Sequence, residues 1–150
     1  MAHTYTNILV HALFSTKERQ PAIDREFAPE LYAYMAQIVK TLRADPILIN
    51  GVRDHIHLLF RLPPALAVAD VMEKVKANSS RWMRQGRGKR REFAWQTGYT
   101  AFSVSQSNLG RVHRYIADQE RHHRRTSYRE EVLAFFKKHG VAYDEHYVFD

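Results

Sequence analysis

Residues Asp54-His55-Ile56-His57-Leu58-Leu59-Phe60-Arg61-Leu62 alternate like a half-buried β-strand, with Ile56, Leu58, Phe60 and Leu62 on one face and both histidines on the other. The histidine pair therefore points away from the main core. Two imidazoles two residues apart on a strand project side by side, near enough to share one divalent cation, and neutral imidazole is the commonest protein metal ligand. Alone, such a pair reads as readily as surface or satisfied core histidines. The rest of the chain has to decide.

Working outward, Pro46 to Asn50 is a short apolar strand, and Asn50-Gly51 is a turn signal that predicts a hairpin into the histidine strand. Further upstream, Tyr5 to Thr16 predicts a strand with Ile8, Val10, Ala12 and Phe14 on its apolar face and Tyr5, Asn7, Leu9 and His11 on the other. Between these strands, Phe27, Leu31, Met35, Ile38, Val39 and Leu42 recur at helical spacing, so a helix spans Glu26 to Leu42 and closes before Asp45-Pro46. Downstream of Pro63-Pro64 a second amphipathic helix runs from Leu66 to Gln85 with Val68, Val71, Met72, Val75 and Trp82 inward, ending at Gly86-Arg87-Gly88. Tyr99 to Ser105 alternates as a fourth strand. A helix capped by Ser105 or Ser107 then runs to Arg125, and a short helix from Arg129 to His139 precedes an aromatic tail.

The order strand, helix, strand, strand, helix, strand is the ferredoxin-like split βαβ arrangement, which places the chain in the α+β class: an antiparallel sheet with two helices on one face. His55 and His57 then lie on the face those helices leave open, where a third, tyrosine-bearing helix packs. With 150 residues, 45% of them apolar, and no internal repeat or linker, a single domain spanning 1–150 is expected. The absence of cysteine excludes disulfides and thiolate metal sites. No stretch approaches the roughly 18 apolar residues of a membrane span, and Met1 to Gln20 lacks the features of a signal peptide, so a cytoplasmic protein without membrane contact is expected.

A net charge of +7 and a pI near 9.8 predict attraction to polyanions. Between Lys74 and Arg91 stand eight basic residues, at 74, 76, 81, 84, 87, 89, 90 and 91, and no acid. This block reads as a phosphate-contacting surface, with Arg87, Lys89, Arg90 and Arg91 the candidate DNA contacts. Trp82 and Trp95 lie in or beside it and could stack on unpaired bases, although Trp82 also continues the apolar stripe of its helix and reads as buried.

On the third helix, Leu109, Val112 and Ile116 make a narrow apolar stripe, with Tyr115, Gln119 and His122 along its edge. A tyrosine there serves packing as readily as chemistry. Yet His55, His57 and an amide oxygen from Gln119 would leave open positions on Mg²⁺ or Mn²⁺ for phosphate oxygens, and a phenolic oxygen one helical turn away could attack the phosphorus. The free phenol, with a pKa of about 10, needs the cation or a base nearby. Adjacent helical positions diverge by about 100°, so His122-His123 reads as a DNA-facing or solvated surface rather than a metal pair.

Together these elements resemble the single-tyrosine HUH transposases, small transposases of insertion sequences that move as single-stranded DNA. The resemblance covers essentially the whole chain: Thr4-Tyr5-Thr6-Asn7-Ile8-Leu9-Val10-His11 with Phe14-Ser15-Thr16-Lys17 after it, Asp54-His55-Ile56-His57-Leu58 as the HUH element, and Val112-His113-Arg114-Tyr115-Ile116-Ala117-Asp118-Gln119-Glu120 as the tyrosine helix. It implies a metal-dependent DNA strand transferase in which His55, His57 and Gln119 hold the divalent ion. Tyr115 is the implied nucleophile, becoming linked to the 5′ phosphate of cleaved single-stranded DNA. It further implies recognition of DNA hairpins near element ends, and homodimers in which the tyrosine helix of one subunit completes the metal site of the other. An active element's transposase and a host-retained relative that processes repeated palindromes would share these residues.

Two other classes compete. A metal-dependent single-strand nuclease would use water as the nucleophile and tolerate Tyr115→Phe. A non-catalytic nucleic-acid-binding module on the same sheet would want aromatics on the open faces of its central strands, where this chain offers His55, His57 and Arg61.

Overall fold

The computed structural model describes residues 3–86 and 90–150. Strands β1 (Ile8–Ser15), β2 (Asp45–Val52), β3 (His55–Leu62) and β4 (Thr100–Val104) form a four-stranded antiparallel sheet in the order β2-β3-β1-β4. This is the split βαβ topology expected from the element order, with β1 and β3 in the centre. Helices α1 (Ala28–Thr41) and α2 (Val68–Gln85) cover one face. Leu31, Met35 and Val39 of α1 and Val71, Met72, Val75 and Met83 of α2 meet Val10, Ala12, Phe14, Ile56, Leu58 and Phe60 in the main core. Trp82 packs on its edge against Phe27 and Tyr34, as its stripe position implies.

Beyond that core, β3 departs from its half-buried pattern, because its histidine face is as buried as its apolar one. Three helices cover it: α3 (Leu109–Ala117), α4 (Gln119–His122) and α5 (Tyr128–His139). The short helix of the sequence pattern, α5, contributes most of the cover, since Tyr128, Val132 and Phe136 form a second core with Leu13 of β1 and Phe102 of β4. It is well bounded. Ser127 and Glu130 cap each other at its start, and Gly140 takes the left-handed conformation (φ 66°) just past its end.

Three boundaries differ from the sequence pattern for identifiable reasons. Tyr5 is 90% exposed and β1 begins only at Ile8. The expected turn at Asn50-Gly51 moves to Arg53-Asp54: Gly51 lies inside β2 opposite Ile56, and Val52 pairs with His55. Gly51 is there for close approach, because a Cβ would stand 2.2 Å from the His55 carbonyl oxygen. Gly51→Ala should therefore destabilise the chain by about 2–3 kcal/mol, read as a lowered denaturant midpoint. Finally, the long third helix breaks at Asp118 (φ −101°, ψ 23°). Asn50 Nδ2 donates to the carbonyls of Ile116, at 2.8 Å, and Ala117, at 3.4 Å, and so ties the end of α3 to β2. Among the described residues no helix is long and apolar enough to cross a membrane.

Candidate active site

The second face of β3 carries His55 and His57, both with 0% exposure. Each imidazole is fixed by a different neighbour. The shifted turn sets Asp54 beside His55, with 2.7 Å between Oδ1 and Nδ1, while His11 of β1 places Nε2 2.7 Å from His57 Nδ1. Their other nitrogens converge on a residue the sequence pattern did not single out, Glu131 of α5, 2% exposed. Its Oε1 lies 3.1 Å from His57 Nε2, 3.1 Å from His123 Nε2 and 3.4 Å from His55 Nε2. On its other side, Oε2 accepts the hydroxyl of Tyr115, and Gln119 Nε2 donates to it at 3.3 Å. Gln119 Oε1 is 3.3 Å from His55 Nε2.

His55, His57, Gln119 and Tyr115 are thus brought together, and within one chain. The surface reading of His122-His123 fails at His123, whereas His122 keeps a part-exposed place. His123 stands one helical turn past Gln119, its N–H bonded to the Gln119 carbonyl at 2.9 Å, and so shares the inward side that Gln119 takes. His123 is turned into the cluster, where its Nδ1 lies 2.6 Å from the Thr126 carbonyl, and His122 Nε2 sits 3.1 Å from the Tyr115 hydroxyl. Glu131 did leave a signal. It lies on the inward face of α5 with Tyr128, Val132 and Phe136, and a charge on an apolar stripe must have partners.

Burial alone would push the His55 imidazole down, but hydrogen bonds to the carboxylates of Asp54 and Glu131 outweigh it and raise it to about 8. For His57 desolvation wins over the same carboxylate, and the value falls to about 4. Burial pushes the Glu131 carboxyl up, yet hydrogen bonds from His123, His55 and His57 hold it well below the usual carboxylate range. Burial, and then the charge of Glu131, push the Tyr115 phenol well above its ordinary value.

These directions give metal-free protein a stability maximum near pH 6.5. His55 contributes in full below the unfolded value of about 6.5 and loses its contribution, about 2 kcal/mol, as pH rises through 8. His57 stays neutral in the fold, so stability also falls as pH drops below 6.5 toward 4. Thermal denaturation against pH in the presence of a chelator measures both limbs.

The basic block fares differently. Lys76 Nζ donates to the carbonyls of Gln96, Thr97 and Gly98 at 2.6–3.0 Å, Arg84 donates to Ser80 Oγ at 2.9 Å, and Arg90 reaches Asp24 at 3.2 Å. These three are engaged within the fold. Arg91 is exposed in a separate hollow with Arg90, Lys17 and Gln20, while Arg87 and Lys89 lie outside the described residues. Trp95 is no stacking platform. It is buried edge-on to Phe14 and Phe93, with its indole N–H donating to Ser79 Oγ at 2.9 Å. A second basic surface borders the phenol itself: Arg111, Arg114, Arg121, Arg124 and Arg125 line a groove of about 700 Å³ with Tyr115 and His122.

The ferredoxin-like sheet thus carries paired imidazoles on a central strand, faced by a helix that bears a tyrosine. Residues 4–119 match the family described as Transposase IS200 like, and the chain belongs to that family. The transposase for insertion sequence element IS200 of Salmonella typhimurium is 27% identical over 125 residues, covering 79% of this chain and 81% of that protein. The ISDra2 transposase TnpA of Deinococcus radiodurans is 25% identical over 114 residues, covering 73% and 81%. Two solved structures share the fold. A transposase candidate from Deinococcus radiodurans R1 superposes with a TM-score of 0.63 at 22% identity, covering 79% of this chain and 96% of that one. A REP-associated tyrosine transposase bound to a REP hairpin gives 0.58 at 12% identity, covering 82% and 73%.

Proposed function

We propose that this chain cleaves and rejoins single-stranded DNA at hairpin-bearing sequences through a covalent link between Tyr115 and a 5′ phosphate, with a divalent cation, Mg²⁺ or Mn²⁺, held by His55, His57 and Gln119. The observation that carries the reading is the meeting of the Tyr115 phenol and the His57 imidazole on opposite oxygens of one buried carboxylate, Glu131. The nucleophile and the ion's ligands therefore share one small volume. Bound there, the ion would polarise a phosphate oxygen and offset the charge that develops in the displacement.

The Tyr115 hydroxyl donates to Glu131 Oε2, so the carboxylate is placed to take the proton as the phenolic oxygen attacks phosphorus. One O–P bond forms as the bond to the 3′ oxygen breaks, and that oxygen leaves with the electron pair and takes up a proton. Reversal by another strand's 3′ hydroxyl rejoins DNA without a nucleotide triphosphate, since the phosphotyrosine bond keeps the energy of the bond it replaced.

The arginine groove beside Tyr115 suits the strand being cut, and the hairpin bound by the structural neighbour suggests the form of the partner DNA. Replacing Arg114, Arg121 and Arg124 together with alanine should weaken binding at low salt by about 10-fold or more. The slope of log K against log salt should also flatten, by about 0.7 for each phosphate that is no longer neutralised. Arg91→Ala should change either quantity less. Fluorescence anisotropy with a labelled hairpin measures both.

The chemistry is tested by incubating the chain with a hairpin oligonucleotide and Mn²⁺, then resolving the products under denaturing conditions. Strand scission with a protein–DNA species that survives denaturation supports the reading. Scission without such a species supports hydrolysis by water, and binding without scission supports a non-catalytic module.

A further inference from the structure

Hydrogen-bond accounting in the cluster points to more metal ligands than the strand pair and Gln119. His123 Nδ1 lies 2.6 Å from the Thr126 carbonyl, which can only accept, so that nitrogen carries the proton and Nε2 presents a lone pair. His55 is oriented in the same sense: Nδ1 lies 2.7 Å from the Asp54 carboxylate, so Nε2 is the nitrogen turned to a bound cation. Both Nε2 atoms face Glu131 Oε1, at 3.1 Å for His123 and 3.4 Å for His55. Gln119 Oε1 adds another acceptor 3.3 Å from His55 Nε2. Without an ion, protons on the imidazoles must serve the carboxylate, and a cation in their midst would take their place; backbone or carboxylate partners on the far nitrogen are how proteins orient metal-ligating histidines.

The ligand atoms of His55, His57, His123 and Glu131 all lie within 4.8 Å of one another, close to the roughly 4 Å span of one ion's coordination shell. His122 stands at the other carboxylate oxygen, its Nε2 3.1 Å from the Tyr115 hydroxyl and 3.4 Å from Glu131 Oε2, and is not part of the four-residue group.

We propose that His123 and Glu131 ligate the cation together with His55 and His57, and that this donor set selects a transition-metal ion such as Mn²⁺ or Co²⁺ over Mg²⁺. Three imidazole nitrogens and one carboxylate suit a borderline ion, whereas Mg²⁺ favours oxygen ligands and keeps much of its water. Gln119 then has a second task. Its Nε2 donates to Glu131 Oε2 at 3.3 Å and so orients the carboxylate, while its Oε1 faces the same centre. The inference rests on the proposed function only for the place of the ion, and metal binding can be measured with no DNA present.

The test titrates the chelator-stripped full chain with Co²⁺, followed by visible absorption, and with Mn²⁺ and Mg²⁺ by calorimetry. Mn²⁺ should bind at least about 100-fold more tightly than Mg²⁺. His123→Ala and Glu131→Gln should each weaken Co²⁺ and Mn²⁺ binding by about 10-fold or more and alter the cobalt spectrum. His122→Ala should change either less than His123→Ala does. Glu131→Asp, which keeps the charge and shortens the reach, should shift the cobalt bands, and circular dichroism shows which variants fold. Should Glu131→Gln not fold, His123→Ala and Glu131→Asp carry the test. Parent-like metal affinity and spectrum in folded His123→Ala and Glu131→Asp overturn the proposal, as does equal affinity for Mn²⁺ and Mg²⁺. A failure to trap a protein–DNA adduct would count against the phosphotyrosine reaction and leave these metal affinities standing.

Discussion

Tyr115→Phe is expected to lower single-turnover cleavage of a hairpin substrate by on the order of 10⁴-fold or more, to background, while hairpin affinity stays within about threefold of the parent. The phenyl ring retains the edge contacts with His57, at 6.0 Å between centroids, and with Phe135, at 5.6 Å, so the packing of α3 is preserved. The substitution removes one oxygen, with its bonds to Glu131 and His122. That costs about 1 kcal/mol of stability, and it takes away the only atom on this side chain able to attack phosphorus. Cleavage at the parent's rate by the phenylalanine variant would make water the nucleophile and return the chain to the nuclease class.

His57→Ala should abolish cleavage just as completely, for a different reason. It deletes a nitrogen that faces the ion's place 3.1 Å from Glu131 Oε1, and it also strips a partner from His11. Because His57 is fully buried, the variant should lose about 2–4 kcal/mol of stability to the cavity and the unpaired groups. Hairpin binding should remain, since the arginines beside Tyr115 do not depend on the imidazole. Anisotropy and circular dichroism on the same sample separate the two effects. Loss of binding and of folded signal together would mean that His57 holds the fold rather than the chemistry.

The strand order and the helix pair on one face were legible because β1, β3, α1 and α2 carry strict apolar periods, which local sequence displays. The imidazole pair was legible for the same reason, since alternation alone fixes which face His55 and His57 share. Residues placed by tertiary contacts were not. The turn at Arg53-Asp54 depends on how near β3 passes to Gly51, and the break at Asp118 coincides with an Asn50 side chain 66 residues away in sequence from Ile116. His123 lies one helical turn beyond Gln119 and shares its inward side, a relation that the divergence of adjacent residues hides. Glu131 went unread because α5 is short beside the tyrosine helix, although a carboxylate among Tyr128, Val132 and Phe136 cannot be buried without partners. In the basic block, tertiary contacts add uses that composition does not display. Composition marks the block from Lys74 to Arg91 as a phosphate-contacting surface, and within the fold Lys76, Arg84 and Arg90 also donate to carbonyls, a serine and Asp24.

The identity of the side chain that takes the phosphate decides the mechanism. Trapping the denaturation-resistant species on a hairpin oligonucleotide, digesting it with nuclease and protease, and sequencing the modified peptide by mass spectrometry measures that directly. A 5′-phosphonucleotide on Tyr115 is the predicted result. A nucleotide on any other residue, including Tyr128 whose ring lies 4.5 Å from that of His55, or efficient scission with no modified peptide at all, would contradict it.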